Sequence, residues 1–411
     1  MTTRVGGSPI DLTDLDRFAT GFPHDVFAEL RREHPVWWHE PTALTPGGEG
    51  FWVVSTHAEC RAAASDAATY SSEGGGGREG GGTLIEDLPA GFAAGVLLNM
   101  TDDPRHQQVR KLIAPALSPK VVAAMETELR QRARSIVTAA VTRGACDLLV
   151  DVTAELPLQA IARLLGVPQS DRHRLLGWAN TTLDHDDHDL GHTTERQQQA
   201  AGEMFAYGSA LIEQRRSDPS DDLLSIVANA DLTDLEAQMF FNLLIAAGSE
   251  TTRNSIAAGV LALVERPAVW AELRADRSLL PCATEEILRW TSSTTYNRRT
   301  ATRDTELGGV AIAAGQKVTL WWGSANFDER AFADPDAFEI RRSPNRHLAF
   351  GHGSHFCLGA GLARAEIRIV LDELLTQVAH IELTGPVDWV RSNKHTGLRH
   401  MPVRLVADTE R

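Results

Sequence analysis

The stretch HLAFGHGSHFCLGAGLARAE, residues 347–366, places three histidines and one cysteine among glycines and ahead of a helical pattern. Four of its side chains could in principle bind zinc: His347, His352, His355 and Cys357. Structural zinc sites usually take paired ligands from two separate knuckles, so four ligands this close together would be crowded. Ser354 does not fit a serine nucleophile elbow, and Gly351 does not open a GxGxxG dinucleotide motif. The single thiol therefore needs another explanation.

The chain has 411 residues, a formal charge of −15 at pH 7 and four cysteines that lie far apart. Its length suffices to bury roughly 75% of the unfolded surface, which allows a large core and a deep pocket. The acidic charge argues against nucleic acid and anionic membrane surfaces as partners and favours a small molecule. The first forty residues show neither a signal peptide nor a membrane span, and the sparse cysteines suit a reducing compartment. We therefore expect a monomeric, cytoplasmic enzyme.

Hydrophobic periodicity and helix-start signals predict a mainly α-helical chain with a small β region. The predicted helices span residues 23–33, 104–116, 120–143, 150–165, 171–183, 193–216, 235–265 and 279–290, with another starting near His57. Strand-like segments lie at 51–54, 305–312 and 318–322. The helix over 235–265 would be about 45 Å long, enough to cross the body of the protein. We expect one domain over 1–411, with a mixed α/β part up to residue 75 and a helical body from residue 100 that includes the cysteine loop.

Residues 74–82, GGGGREGGG, form a glycine-rich run. Glycine loses more backbone freedom on ordering than other residues do, so the run should not nucleate regular structure. We expect a mobile loop there, either a plain surface connection or the flexible edge of a lid.

The pattern FxxGxxxCxG is formed by Phe350, Gly353, Cys357 and Gly359. It resembles the haem-ligand loop of the cytochrome P-450 superfamily, and the resemblance implies that Cys357 is the thiolate ligand of haem iron. Glycines let the backbone approach a flat macrocycle, and backbone N–H groups can stabilise the negative sulfur. The following helix points its positive end at the thiolate, so we expect a lowered pKa for Cys357. A thiolate ligand donates electron density to iron and favours cleavage of the O–O bond.

The middle of the longest predicted helix reads LIAAGSETTRNS, residues 244–255. Apolar flanks indicate that this helix is buried, where a GSETT segment is costly without a role. An ordinary helix with its polar residues facing solvent is the alternative. The segment resembles the oxygen-binding helix of the same family, and that likeness places Ala247 and Gly248 against haem. It makes Glu250 and Thr251 the acid and the alcohol that deliver protons to dioxygen.

Glu286 and Arg289, in EEILRW, stand at i and i+3 on one predicted helix face. Surface pairs of this kind are common and contribute little to stability. Their position, about seventy residues before Cys357, resembles that of the ExxR pair of the family. If the pair is buried, removal of one partner should cost several kcal/mol.

Four donors resemble the family's contacts to the haem propionates: His106, Arg110, Arg299 and His355. Several donors around two carboxylates are chemically sensible. A solvated helix face is the alternative for His106 and Arg110, which lie one turn apart. In the same likeness, three loop residues would contact haem b (iron protoporphyrin IX): Phe350, Gly351 and Gly359.

The segments that contact substrate in this family are apolar here in one part and polar in another. The apolar candidates are Leu97, Leu98, Leu243 and Leu244. The polar candidates are Thr294, Thr295, Asn297, His395 and Thr396. We therefore expect a largely apolar substrate with some polar groups, such as a steroid, a terpenoid, a fatty chain or a natural-product intermediate, free or bound to a carrier protein.

No flavin or iron–sulfur sequence accompanies the chain, so the likeness implies electrons from a separate ferredoxin and an NAD(P)H-dependent reductase. Four basic residues on the expected cysteine side are candidates for docking: Arg105, Lys111, Arg364 and Arg368.

A haem-thiolate monooxygenase is the leading hypothesis. A peroxide-driven haem enzyme is a second, but such relatives typically replace the acid–alcohol pair that Glu250 and Thr251 supply. A non-enzymatic accessory protein of the same fold is a third, and such relatives lack the cysteine ligand.

One cluster has no counterpart in the family: His185, His188 and His192, at spacings that would share a helix face. A second metal site is conceivable there, and an exposed acidic connection between two helices is the ordinary alternative.

Overall fold

Residues 4–5, 8–182 and 194–408 are described by the structure, a computed structural model of the chain. Within these ranges the α-helices are α1 (His24–Glu33), α2 (His57–Ser65), α3 (Arg105–Ile113), α4 (Pro119–Arg143), α5 (Glu155–Leu164), α6 (Arg172–Thr182), α7 (Glu195–Ser217), α8 (Leu223–Ala228), α9 (Asp234–Val264), α10 (Pro267–Ala275), α11 (Leu280–Thr291), α12 (Trp322–Ala325) and α13 (Ala360–Gln377). The predicted mainly α-helical fold class is confirmed.

The strands are short. They are β1 (Arg4–Val5), β2 (Ser8–Pro9), β3 (Val36–His39), β4 (Phe51–Val54), β5 (Tyr70–Ser71), β6 (Gly80–Gly81), β7 (Leu88–Pro89), β8 (Ala145–Asp147), β9 (Tyr296–Ala301), β10 (Thr305–Leu307), β11 (Val310–Ile312), β12 (Lys317–Trp321), β13 (Val378–Leu383), β14 (Asp388–Trp389), β15 (Leu398–His400) and β16 (Pro402–Ala407). The largest described sheet has the order β3-β4-β12-β9-β5, in which only β4 and β12 are parallel. A second sheet has the order β13-β16-β8.

The long helix α9 forms the centre of the molecule, and its sequence explains both its start and its burial. Thr233 and Glu236 form a capping box at its N-terminus, one residue from the predicted boundary. Every residue from 252 to 263 is buried. Glycines allow close packing on both sides: a Cβ at Gly248 would lie 2.9 Å from a side-chain atom of Ile161 on α5, and one at Gly259 would lie 2.6 Å from Ile287 on α11.

Most predicted helices lie within a few residues of their expected bounds, and the exceptions have local causes. Helix α3 ends at Ile113, where a 3₁₀ turn over Ala114–Leu117 begins, because Pro115 cannot donate the next helical hydrogen bond. A π-helical turn at Leu149–Thr153 precedes α5 and delays its start. The short helices α8, α10 and α12 had no prediction.

The predicted strand at 305–312 is wrong as one element, because the structure has the hairpin β10–β11 there. Gly308 and Gly309 form its turn with φ of 58° and 79°, values that favour glycine.

The glycine-rich run is packed in part and includes strand β6, although no regular structure was predicted there; its mobility stays a prediction. A Cβ at Gly76 would lie 2.2 Å from the backbone N of Gly315, and one at Gly81 would lie 1.6 Å from the carbonyl O of Glu73. Arg78, at the centre of the run, forms an ion pair with Glu49 and donates to the carbonyl of Gly315. Here the glycines serve close backbone packing.

Candidate functional site

The cysteine loop is held by backbone contacts that require glycine. The N–H of Cys357 donates to the carbonyl of Phe350 at 2.9 Å. Gly353 has a φ of 72°, and a Cβ there would lie 2.2 Å from the carbonyl O of Ala64 on α2. The Nη2 of Arg110 on α3 donates to the carbonyl of Phe356 at 2.7 Å. The loop is thus positioned between α2, α3 and the start of α13.

The thiol of Cys357 lies at the N-terminus of α13. Desolvation by the surrounding protein raises its pKa, although part of the residue is exposed, while hydrogen bonds from the N–H groups of Gly359 and Ala360 and the charges of Arg110 and Arg364 lower it by less. The prediction of a lowered pKa is therefore wrong for the thiol in the protein alone, although the predicted N–H groups are present. Donors aimed at sulfur suit a thiolate that binds a metal ion.

Four donor side chains from distant segments meet beside the loop: His106, Arg110, Arg299 and His355. The rings of His106 and His355 lie 4.1 Å apart. Burial lowers the pKa of Arg299 to about 10, and its one side-chain hydrogen bond in the described part of the chain goes to the carbonyl of Arg298 at 2.9 Å. Burial and the charges of Arg299, His106 and Arg110 lower the pKa of His355 to about 2. A buried guanidinium with most of its N–H groups unbonded, flanked by imidazoles, fits a ligand that carries carboxylates, as haem does.

The other two histidines of the loop have different partners. The Nε2 of His347 lies 3.2 Å from Glu285, which also accepts two hydrogen bonds from Arg364 at 2.7 and 2.8 Å. Arg61 on α2 donates to the Nε2 of His352 at 3.3 Å. Within the described ranges, no three His, Cys, Asp or Glu side chains are grouped so that they could hold a metal ion. The zinc alternative has no support there, and the cluster His185, His188 and His192 lies outside the described residues.

One side of α9 is accessible along its middle. Ala247 is exposed, and Leu243, Leu244, Gly248 and Thr251 are half-buried, whereas the next turns are buried throughout. Residues three and four apart share a helix face, so these five line one stripe. The stripe is the accessible part of the helix and lies on the side where haem is predicted to bind.

Hydroxyls on α9 bond to the helix itself. Thr251 donates to the carbonyl of Ala247 at 2.8 Å, and Ser249 donates to that of Ile245 at 2.7 Å. Such bonds compete with the backbone ladder and permit a local opening of the helix.

Sequence reasoning missed the surroundings of Glu250. The acid is 2% exposed, and Arg253, one turn later and 3% exposed, lies close enough for mutual attraction. Burial lowers the pKa of Arg253, and Glu250 partly offsets this effect. Arg253 also donates to Asn180 on α6 at 2.7 Å. The i, i+3 spacing of Glu250 and Arg253 was the one available signal, since nothing in the sequence places α6 against α9.

Glu286 and Arg289 on α11 are both fully buried and share two hydrogen bonds of 2.8 Å. Arg289 also donates to the carbonyls of Asn326, Pro335 and Ala337. Glu286 accepts from Glu339 N, Arg342 Nε and Asn345 Nδ2. The pair therefore anchors the irregular segment 326–345 that leads to the cysteine loop.

The predicted polar pocket residues lie where two segments meet. The backbones of Thr294 and His395 form an isolated antiparallel β-bridge. The N–H of Thr396 donates to the carbonyl of Ser293 at 2.9 Å. Thr295 is fully buried and its hydroxyl donates to the carbonyl of Asn393. The hydroxyl therefore joins two segments of the chain and does not face a substrate pocket. Asn297 accepts from Lys394 at 2.8 Å. On the apolar side, Leu97 and Leu98 are half-buried.

Lys394 is a second residue that sequence reasoning missed. It is 6% exposed and also donates to the carbonyls of Thr83 at 3.1 Å and Tyr296 at 2.7 Å. One ammonium thereby joins three segments that are distant in sequence, and no local pattern marks a lysine for such burial.

Three of the four predicted docking residues are neutralised by acids. Arg105 pairs with Glu236 at 2.7 Å, Arg364 pairs with Glu285, and Arg368 pairs with Glu126 at 2.6 Å. Lys111 is exposed. The expectation that all four present positive charge is wrong, because ion pairs cancel most of it.

In the described part of the chain, no helix combines the length and apolarity that a bilayer crossing requires.

Comparison with known proteins agrees with this geometry. The cytochrome P-450 family model matches residues 135–387. A protein of Mycobacterium tuberculosis named cytochrome P-450 126 is 49% identical over 98% of this chain and 99% of its own, and a methyl-branched lipid omega-hydroxylase of the same species is 38% identical over 98% of each chain. The crystal structure of a Mycobacterium marinum cytochrome P-450 in complex with pseudoionone is 33% identical and superposes with a TM-score of 0.87 over 98% of this chain and 100% of the other. Fold, loop geometry and relatives together show that the chain belongs to the cytochrome P-450 family and is a monooxygenase of that family.

Proposed function

We propose that this monooxygenase hydroxylates a largely apolar small molecule that carries some polar groups. The accessible stripe on α9 carries this proposal, since it presents Leu243, Leu244 and Ala247 and ends at Thr251, next to the buried Glu250. The names of two relatives, which mention a methyl-branched lipid and pseudoionone, support an apolar substrate class. The half-buried side chains of Asn297 and Thr294 would contact a polar group, and a substrate tethered to a carrier protein fits the same proposal.

The residues that would hold haem follow from the donor cluster. Cys357 would be the iron ligand, Phe350, Gly351 and Gly359 would contact the macrocycle, and Ala247 with Gly248 would lie on its other face. His106, Arg110, Arg299 and His355 would bind the propionates. When bound, a haem with a thiolate ligand supplies the dioxygen chemistry.

Glu250 and Thr251 would move the protons. Glu250 is nearly inaccessible to solvent and lies close enough to Arg253 for their opposite charges to attract. The hydroxyl of Thr251 reaches the accessible stripe and already donates to the carbonyl of Ala247. Thr251 would donate protons at the accessible stripe, and Glu250 would then return a proton to Thr251.

The cofactor assignment is tested by the absorption spectrum of the reduced protein with carbon monoxide. We expect a strongly red-shifted Soret band, its loss in Cys357→Ser, and its retention in Cys282→Ser as the matched control. A colourless protein, or an unchanged band in Cys357→Ser, would refute the assignment.

The substrate class is tested by spin-state shifts of the purified haem protein. A panel of methyl-branched fatty acids, steroids and terpenoid ketones should give shifts, and small, highly polar alcohols and acids should not. Shifts with the polar compounds alone would contradict the proposal.

Electrons would come from NAD(P)H through a reductase and a separate ferredoxin in the cytoplasm, with the chain acting as a monomer. Because three of the first docking candidates are paired, we assign docking to the remaining one, Lys111, and to two further positions near the cysteine loop, Arg61 and Arg346. All three are exposed. Arg61 adjoins the loop through His352, and His57 on the same helix contacts the carbonyl of Arg346. An acidic ferredoxin would complement this surface.

A further inference from the structure

The side chain of Asn254 on α9 is 1% exposed, and neither its Nδ2 nor its Oδ1 has a hydrogen-bond partner among the described residues. An amide offers two donors and two lone pairs, and burying it without any partner costs the full desolvation free energy of the group. Buried polar atoms in folded proteins are nearly always bonded, either to protein or to ordered water. Asn254 therefore needs a partner.

The neighbouring side chains on α9 do not supply one. Ser255 donates to the carbonyl of Thr251 at 2.9 Å and contacts the hydroxyl of Ser293 at 2.6 Å. Arg253 donates to Asn180, on a different helix. The partner of the Asn254 amide is therefore not one of these groups.

The C-terminal turn covers the amide from outside α9. A Cβ at Gly397 would lie 2.3 Å from Nδ2 and 2.8 Å from Oδ1 of Asn254, so the turn reaches the amide only because residue 397 has no side chain. Thr396 is tied to Ser293 through its N–H, which holds this turn in place. The turn thus shields the amide from bulk solvent, and because no described group bonds to it, ordered internal water is the kind of partner that remains.

Asn254 is also one helical turn after Glu250, which is 2% exposed. Side chains at i and i+4 lie on the same face of a helix, within reach of one bridging water. We propose that Asn254 is a positioning residue that holds an internal water beside Glu250, and that this water passes protons to the Glu250 carboxylate. The proton role rests on the proposed function of Glu250, whereas the water site does not.

The water site is tested by the sign of a stability change. In Asn254→Leu, an apolar side chain of similar size replaces the amide. An amide that truly lacks a partner would make this variant more stable, while an amide that holds water would make it less stable, with a melting temperature lower by about 2 °C or more. Asn326→Leu is the matched control, because both amide atoms of Asn326 are bonded, to Ser292 and to the N–H of Leu348. We expect both variants to melt at lower temperature than the parent protein.

A crystal structure of the haem-bound parent protein gives a readout that does not depend on the variant. Ordered water within hydrogen-bond distance of Asn254 supports the site, and its absence overturns it even if Asn254→Leu fails to fold.

The proton role predicts that Asn254→Ser or Asn254→Leu, with an unchanged carbon-monoxide band, gives a larger solvent isotope effect on product formation and more peroxide per NAD(P)H. An ordered water with unchanged isotope effect and unchanged peroxide would overturn the proton role. If the parent protein itself shows no red-shifted carbon-monoxide band, the proposed function is refuted instead.

Discussion

The hydroxyl of Thr251 donates to the carbonyl of Ala247, and Thr251 lies on the accessible stripe of α9. Thr251→Ala should keep the carbon-monoxide band, lower product formation by about 10²-fold and divert reducing equivalents to peroxide, because general acid–base catalysis contributes at about this level. Thr252→Ala is the control, as Thr252 is buried on the adjoining face. Product and peroxide are measured per NAD(P)H consumed. Equal losses in the two variants would contradict the role of Thr251.

Glu285 illustrates how pH acts on a single ion pair. Burial raises its pKa, but the hydrogen bonds of His347 and Arg364 outweigh that effect and lower the pKa from 4.5 to about 2. Because the folded value lies below the unfolded one, the pair stabilises the protein above pH 4.5, and this contribution is lost as the pH falls from 4.5 through about 2. It amounts to at most about 3 kcal/mol.

Glu285→Gln should therefore be less stable than the parent protein at pH 7 and nearly equal to it at the lowest pH at which both fold. Urea unfolding followed from pH 7 downward measures this difference. Glu272→Gln, which removes an exposed partner of Arg341, should show little change at any pH. A stability difference for Glu285→Gln that does not shrink with acid would contradict the assignment.

At the scale of elements, the fully buried pair on α11 holds a long irregular segment. Glu286→Gln removes the charge that balances Arg289 and Arg342, so we expect a loss of about 3–5 kcal/mol in the free energy of unfolding. The exposed pair of Arg341 and Glu272 should contribute less than about 1 kcal/mol. Urea unfolding of the haem-bound proteins compares the two. Similar small losses would show that the pair does not anchor the segment.

Elements that the sequence predicted well carry their signals locally. Helix α9 has a capping box and long apolar flanks, so its bounds are within one residue of the prediction. The close packing within the glycine-rich run was missed because Gly76 packs against the backbone of Ala301 and Gly315, which are distant in sequence and which composition cannot show. The hairpin β10–β11 was merged into one strand because its turn, Gly308 and Gly309, was read as part of the strand.

At the scale of the whole molecule, the site is assembled from segments far apart in the chain. His106, Arg299 and His355 come from α3, β9 and the cysteine loop. Spacing alone could not bring them together, and only the likeness to a known family suggested that they meet. The ion pairs that neutralise Arg105, Arg364 and Arg368 were equally hidden, because each acid partner lies at least 79 residues away.

The net charge of −15 makes local positive charge decisive for docking of an acidic ferredoxin. Arg61→Glu should slow electron transfer from ferredoxin by about tenfold or more at low salt, and the rate of the parent protein should fall as ionic strength rises. Arg404→Glu, on the distant strand β16, is the control. Stopped-flow reduction measures both rates, with unchanged haem spectra as a precondition. Equal rates for the two variants would place the docking surface elsewhere.

The glycine-rich run should not tolerate the insertion or deletion of a codon. Repeated glycine codons are places where a copying polymerase slips and adds or deletes a codon, and in an unstructured linker such changes would pass unnoticed. Here Gly76 and Gly81 each fill a position with no room for another atom, and Arg78 between them reaches a fixed partner. One codon more or fewer would move Arg78 away from Glu49 and bring a different residue against Gly315. The fold therefore fixes the length of this repeat, despite its simple composition.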